Sequence, residues 1–151
     1  MERWQHKQYV ISTDKNLLNQ EAVYDFISDS YWAKNIPRVV VERSIDGSLC
    51  FGVYCQHDTA LEQIGFARVI TDSATFAYLS DVFVLHEHRG QGLSKWLMRC
   101  IDSHPDLQGL RRFMLATQDA HGLYQQFGFE TVADASTLMM RHQPNIYAVA
   151  D

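Results

Sequence analysis

The chain contains 151 residues, of which 46% are hydrophobic and 21% charged, a composition typical of a soluble globular protein with a sizeable core. A formal net charge of −5 leaves no basic excess to neutralise phosphates, so nucleic acid is excluded as a principal partner. No apolar run reaches the length of about 18 residues that would predict a membrane span. We therefore expect residues 1–151 to form a single domain.

The cysteines bear on the compartment in which the protein works. Cys50, Cys55 and Cys100 each stand in an apolar pattern, their number is odd, and none belongs to a Cys-x-x-Cys pair. Such residues are typical of buried, reduced thiols in a cytosolic protein. Residues 1–7 carry charge but no apolar segment, so we expect no signal peptide and a cytoplasmic location.

The first half of the chain is predicted to form two helices among short strands. Apolar residues recur at helical spacing over residues 16–30, and Pro37 suits the first position of a second helix that runs to Ile45 and stops at Gly47. Alternation predicts strands at residues 9–12, 49–55 and 64–70. Residues 39–41 are all valine, and the propensity of valine favours a strand over the predicted second helix.

The central stretch, residues 79–104, passes from a strand through a turn into a helix. The strand, 76–85, alternates, with one predicted face of Leu79, Asp81, Phe83 and Leu85 and another of Tyr78, Ser80, Val82 and Val84. From residue 93 the apolar positions recur at i, i+3, i+4, i+7 and i+8, which predicts a helix through residue 104.

Between this strand and helix lies the turn Arg89-Gly90-Gln91-Gly92-Leu93-Ser94. The first N–H groups of a helix are unpaired and its dipole adds partial positive charge, so such a turn suits a phosphate. It lacks the Gly-Lys-Ser/Thr ending of a Walker A loop and the third glycine of a dinucleotide fingerprint, where Lys95 stands. The alternative is an ordinary tight connection, because short glycine motifs also occur by chance.

The last third of the chain is predicted to add a strand, a helix and two more strands. The first strand covers residues 112–117, and the helix covers 119–127 and ends at Gly128 in left-handed backbone. Residues 129–132 and 138–141 form the final pair of strands.

The helix carries a second motif, Leu123-Tyr124-Gln125-Gln126-Phe127-Gly128-Phe129. Together with Val84 and Arg89-x-x-Gly92-x-Ser94, it resembles the motifs of the GNAT superfamily of N-acetyltransferases, and the likeness covers residues 9–142. Ser94 departs from the family's glycine or alanine, and Thr117 stands where the family often has asparagine. The resemblance implies an α/β (α+β) fold, with a mixed, strongly twisted, mostly antiparallel sheet of about six to seven strands, splayed in the middle and flanked by about four helices.

The same resemblance implies that acetyl-CoA is the cosubstrate and assigns residues to it. The backbone of Val82, Phe83 and Val84 would bind pantetheine at the splay, and the N–H groups of Arg89, Gly90, Gln91, Gly92, Leu93 and Ser94 would bind the pyrophosphate. Tyr124 matches the tyrosine that acts as general acid to the CoA thiolate, a task for which a phenol's ordinary pKa of about 10 is suited. The alternatives are core packing for the strand residues and, for Tyr124, an aromatic packed on Phe127 and Phe129.

The sequence does not decide whether the general base is Asp81, His121 or water. An Asp81 carboxylate among apolar residues is costly unless it is used or paired, so it could be the base or a buried structural acceptor. His121 lies three residues before Tyr124, on the same side of the predicted helix. Phe26, Tyr31 and Trp32 fall where the family walls its acceptor pocket, and could stack on an aromatic or cationic substrate or belong to the core.

Two functions are compared. The first is an N-acetyltransferase acting by direct transfer on a small-molecule or peptide amine, as a monomer or homodimer. The second is a non-catalytic acyl-CoA-binding module that senses or regulates. Tyr124 favours the enzyme, whereas the lack of an assigned general base leaves the binding module as the alternative. The seven histidines show no HxxxH or HExxH spacing, so no metal site is predicted.

Overall fold

The computed structural model describes residues 1–149, which form a mixed α+β fold around a six-stranded sheet. The strands in sheet order are β1 (Arg3–His6), β2 (Tyr9–Ser12), β3 (Leu49–His57), β4 (Ala60–Thr71), β5 (Phe76–Val84) and β6 (Arg112–Leu115). The α-helices are α1 (Gln20–Ser28), α2 (Arg38–Asp46), α3 (Leu93–Ser103) and α4 (His121–Gln125). Neighbouring strands are antiparallel except β5 and β6, which run parallel. The predicted fold class is confirmed.

Local sequence sets the ends of the first two helices. Asn19 caps α1, because its side-chain oxygen accepts a hydrogen bond from the Ala22 N–H at 3.1 Å. Pro37 precedes α2, and the N–H of Gly47 closes the helix on the Arg43 carbonyl at 3.1 Å. Val41 and Ile45 lie one turn apart and are both buried, so packing of this helix face outweighs the strand propensity of the valines.

Each face of the sheet carries its own apolar cluster. On one face α3 packs Leu97, Met98 and Ile101 against the strands, and on the other α1 and α2 pack against Phe66 and Phe83. Because side chains alternate along β3, Cys50 lies on the face of the sheet that α1 and α2 cover, and Cys55 lies on the face that α3 covers. These two cysteines and Cys100 are buried and free, as the sequence predicted.

A β-bulge in β5 corrects the predicted alternation of that strand. Phe83 pairs with Phe66 but Ser80 pairs with Arg68, so β5 has one residue more than β4 in this interval. The bulge coincides with Asp81, whose backbone is left-handed with φ of 55°. Leu79 consequently packs on the α3 face and Phe83 on the α1–α2 face, so the prediction that they share a face was wrong.

The predicted elements at the two ends of the chain also need correction. Residues 3–6 form β1, paired with β2, although their mostly polar sequence gave no alternating signal. The strands predicted at 129–132 and 138–141 are wrong, because neither segment has a ladder partner within residues 1–149. The helix before them is shorter than predicted, ending in turns that close at Gly128 with left-handed φ of 84°.

The sheet opens between β5 and β6. Their pairing covers only Phe76–Leu79 against Arg112–Leu115, whereas β5 continues to Val84. Within the described chain, residues 80–84 therefore have no strand beside them on the β6 side, which is the predicted splay. Among residues 1–149, no helix combines the length and the apolar character needed to cross a membrane.

Candidate active site

The predicted phosphate turn lies where β5 leaves the sheet and α3 begins. A hollow of about 270 Å³ opens beside it, lined by Val84, His88, Arg89, Gly90, Gly92, Leu93, Ser94, Lys95 and Leu123. The first helical hydrogen bond of α3 joins the Trp96 N–H to the Gly92 carbonyl at 3.1 Å. The N–H groups of Leu93, Ser94 and Lys95 precede that bond, so they have no partner within the helix.

Two glycines give this turn its shape. Gly90 and Gly92 have left-handed backbones, with φ of 80° and 75°, a conformation that favours glycine over residues with a side chain. A Cβ added to either would meet no other atom within 4 Å, so the glycines face open space. The turn therefore leaves room for a ligand to approach the backbone amides that start α3.

Basic side chains line the same hollow. The Arg89 Nε donates a hydrogen bond to the Val84 carbonyl at 3.2 Å, which ties the guanidinium to the end of β5. Lys95 lines the hollow from α3, and His88 lines it from the loop, where its Nδ1 lies 3.3 Å from the Tyr9 hydroxyl. The hollow thus combines unpaired amides, a helix N-terminus and cations, all of which favour an anion.

Tyr124 is a buried residue of the short helix α4. Its ring packs edge-to-face on Phe129 at 6.0 Å, and the residue is 8% exposed. Burial raises the pKa of the Tyr124 hydroxyl above the usual value, and the nearby Asp119 and Tyr31 add to the rise. The phenol therefore stays protonated at neutral pH, and so is able to donate a proton.

Tyr124 and its neighbour Leu123 face different hollows. Leu123 lines the hollow beside the glycine turn, whereas Tyr124 lines a second hollow of about 290 Å³ beside β6. His121, exposed at the first position of α4, lines this second hollow too. His121 and Tyr124 thus line the same hollow, and Leu123 between them lines the hollow beside the turn.

Asp81 sits in a buried polar network on β5. Its Oδ2 accepts a hydrogen bond from the Arg68 Nε and its Oδ1 accepts one from the Trp32 indole N–H, each at 2.8 Å. Arg68 also donates to the hydroxyl groups of Ser48 and Ser80, at 3.1 and 3.4 Å. Both carboxylate oxygens are occupied, so the geometry favours the structural interpretation of Asp81 over the catalytic one.

Phe26, Tyr31 and Trp32 come together as an aromatic wall beside this network. Phe26 stacks on Phe83 of β5 with ring centres 3.9 Å apart, and Trp32 lies 6.4 Å from Phe26. Tyr31 meets Trp32 edge-on at 5.0 Å, and its hydroxyl accepts a hydrogen bond from the Gln118 N–H at 3.4 Å. Tyr31 and Trp32 are 56% and 41% exposed, so this end of the wall faces solvent between β5 and the loop before α4.

Comparison with known proteins identifies the family. A family model described as the acetyltransferase (GNAT) domain matches residues 46–131. A protein of Gibberella zeae described as an acetyltransferase is 33% identical over 142 residues, covering 82% of this chain and 79% of its own. The chain belongs to the GNAT acetyltransferase family. The resemblance drawn from the two sequence motifs is thereby confirmed.

Solved structures agree with this GNAT assignment. A crystal structure from Xanthomonas campestris pv. campestris, described as an acetyltransferase of the GNAT family, is 52% identical, with a TM-score of 0.88, covering 96% of this chain and 99% of its own. A Clostridium acetobutylicum structure described as an acetyltransferase with acetyl-CoA is 11% identical, with a TM-score of 0.62, covering 88% and 94%. The latter likeness shows the fold alone. As a GNAT acetyltransferase, the protein is an acyltransferase enzyme.

Two residues of this GNAT site were not found from the sequence. Arg68 stands in a strand whose neighbours Phe66, Ala67 and Val69 are buried. A cation in such an apolar run needs a charge partner, so the position of Arg68 was the signal that the sequence offered for this ion pair. Lys95 was noted only as the residue that breaks a dinucleotide motif, whereas it lines the hollow beside the turn. In the described part of the chain, no three His, Cys, Asp or Glu side chains are grouped as metal ligands would be.

Proposed function

We propose that this GNAT protein transfers an acetyl group from acetyl-CoA directly to a primary amine of a small molecule or peptide. The observation that carries the proposal is the hollow beside the glycine turn, where unpaired amides and cationic side chains converge at the end of the splayed strand β5. Family membership supports the reaction class, and the acetyl-CoA of the Clostridium acetobutylicum structure supports the choice of cosubstrate.

The CoA pyrophosphate would lie against the amides of the turn from Arg89 to Ser94. Negative charge there would be stabilised by the N-terminus of α3 and by the cationic groups of Arg89 and Lys95. The pantetheine arm would follow residues 82–84, whose backbone is open on the β6 side because the pairing with β6 ends at Leu79. The thioester would then reach the splay between β5 and β6.

Tyr124 would serve as general acid to the CoA thiolate. Its raised pKa keeps the phenol protonated at neutral pH, so a proton is available when the departing thiolate forms nearby. Because both oxygens of Asp81 accept hydrogen bonds already, His121 or water is left to take the proton of the amine. A His121→Gln variant would lose most of its turnover if His121 is the base, and keep it if water is.

The amine acceptor would bind beside the aromatic wall of Phe26, Tyr31 and Trp32. Exposed faces of Tyr31 and Trp32 can hold a cationic or aromatic group, and Asp81 fixes the Trp32 indole in place through its hydrogen bond. The buried free thiols fit a reducing compartment, so the cytoplasm is the location we propose.

A matched pair of variants tests the cofactor site. Gly92→Asp places a carboxylate in the hollow where the phosphates would lie, and should abolish CoA binding measured by calorimetry. Gly109→Asp is the control, because Gly109 has a similar left-handed φ of 69° and an equally open surrounding but lies in the loop before β6. Unchanged CoA affinity in the Gly92 variant would contradict the assignment.

The reaction itself is tested by thiol release from acetyl-CoA in the presence of a panel of primary amines. Turnover with at least one small-molecule or peptide amine is the expected result, and mass spectrometry should find the product heavier by one acetyl group. CoA binding without turnover on any amine of the panel would contradict the transferase proposal and favour a binding module.

A further inference from the structure

Two cationic side chains near the aromatic wall already have anionic partners. Arg68 donates a hydrogen bond to the Asp81 carboxylate at 2.8 Å, and Lys34 pairs with Asp29. Each pair is electrically neutral as a unit. Neither pair therefore adds net charge to the end of the wall that faces solvent.

Asp119 supplies a negative charge that these pairs do not cancel. Its side chain is exposed in the loop before α4, and within residues 1–149 it forms no ion pair. The Gln118 N–H donates to the Tyr31 hydroxyl at 3.4 Å, and the Ala120 N–H donates to the Thr117 hydroxyl at 3.1 Å. Asp119 lies between these two bonds, so its backbone is fixed on both sides and held next to the wall.

The same carboxylate is close to Tyr124. Burial is the largest cause of the raised pKa of the Tyr124 hydroxyl, and the charge of Asp119 and the phenol of Tyr31 add to it. Asp119 thus lies near both the exposed aromatic faces and the general acid. A carboxylate beside an aromatic face suits an organic cation, because the ring quadrupole and the full negative charge both attract it.

We propose that Asp119, with the exposed faces of Tyr31 and Trp32, binds a second positive charge on the acceptor, which is therefore a diamine. One nitrogen receives the acetyl group and the other remains an ammonium, so this inference rests on the proposed acetyl transfer. The reacting nitrogen must be neutral to attack, and a carboxylate bound to its ammonium form would oppose the loss of its proton. A carboxylate at the exposed end of the wall suits the nitrogen that keeps its charge.

The distal ammonium takes no part in the bond changes. The neutral nitrogen bonds to the thioester carbonyl carbon and the carbon–sulfur bond breaks. The nitrogen gives one proton to His121 or water, and the thiolate takes one from Tyr124. The charge that Asp119 binds is the same before and during transfer, so the contact stabilises substrate and transition state alike. Its loss should therefore raise KM and leave kcat little changed.

Two acceptors of equal length test the inference. Pentylamine has a methyl group where diaminobutane has its distal ammonium, and the two are otherwise alike. Wild type should have a KM for diaminobutane about 10-fold or more below that for pentylamine, and Asp119→Asn should raise the diaminobutane KM by about 10-fold. The comparison is repeated with shorter and longer diamines, since the spacing of the nitrogens decides whether one molecule reaches both the thioester and Asp119.

Asp106→Asn is the matched control. Asp106 is also an exposed aspartate, but it lies in the turn Pro105–Leu107 that follows α3, and Leu107 of that turn packs on the α3 face of the sheet. The aromatic wall packs on the opposite face through Phe26 and Phe83. This variant has the same change of charge as Asp119→Asn, and it should leave the KM of every acceptor unchanged.

Calorimetry separates the failure of this inference from the failure of the proposed reaction. Diaminobutane titrated into the CoA-bound protein measures binding without turnover, and its Kd should rise by about 10-fold in Asp119→Asn. Binding that depends on Asp119, without turnover of any amine, would contradict acetyl transfer and keep the cation site. Turnover with equal KM values in every pair of acceptors, or a diamine KM that Asp119→Asn leaves unchanged, would overturn the inference and keep the transferase.

Discussion

Replacing Asp81 by alanine perturbs the network that links β5, β4 and the aromatic wall. The variant removes the carboxylate that Arg68 and Trp32 both contact, leaving a guanidinium whose side chain is only 14% exposed without its charge partner. Removing one partner of a buried ion pair typically costs about 3–5 kcal/mol, because the other charge stays desolvated and unpaired. At about 2–4 °C for each kcal/mol in a chain of this size, the melting temperature should fall by roughly 6–20 °C.

Thermal and urea denaturation, followed by circular dichroism, measure this effect directly. Asp29→Ala is the matched control, because Asp29 also pairs with a cation, Lys34, but both side chains are exposed, at 80% and 60%. A solvent-screened pair of this kind should leave the melting temperature nearly unchanged. The difference between the two variants therefore reports the buried Asp81–Arg68 pair together with the strain of alanine at the left-handed φ of 55°.

Asp81→Asn separates the structural role from the catalytic one. The amide oxygen can still accept the Trp32 hydrogen bond, but the amide cannot take a proton from an amine. If Asp81 only positions Trp32, this variant should keep most of its turnover and leave KM for the amine little changed, because the Trp32 hydrogen bond is retained. Wild-type stability in the alanine variant, combined with a turnover loss of about 10²–10⁴-fold in the asparagine variant, would refute the structural role and make Asp81 the base.

Two further predictions concern Tyr124 and the cysteines. Tyr124→Phe keeps the ring on Phe129 but removes the proton donor, so turnover should fall by about 10²–10⁴-fold while CoA affinity measured by calorimetry stays the same. A loss of stability with unchanged turnover would instead make Tyr124 a core residue. Burial raises the pKa of Cys50 to about 11 and that of Cys100 to about 12. Labelling of the native protein by a thiol reagent should therefore be slow, and it should accelerate on unfolding. Fast labelling of either cysteine in the native protein would contradict its burial.

Sequence pattern was sufficient wherever one element's own residues decide its form. The switch from alternation to helical spacing near residue 93 gave α3, and the glycines at 90 and 92 gave the turn before it, since both signals are local. The pair of motifs around that turn and Tyr124 was enough to indicate the GNAT family. The aromatic wall was also predicted in its members, although not in its contacts.

The tertiary structure decided what depends on a partner distant in sequence. Asp81 could be a base or a structural acceptor until Arg68 and Trp32 were brought against its two oxygens from β4 and the α1–α2 connection. The bulge in β5 depends on its register with β4, which no pattern within β5 expresses. The segments 129–132 and 138–141 have strand-like sequences but no ladder partner within the described chain, because a strand exists only where another lies beside it.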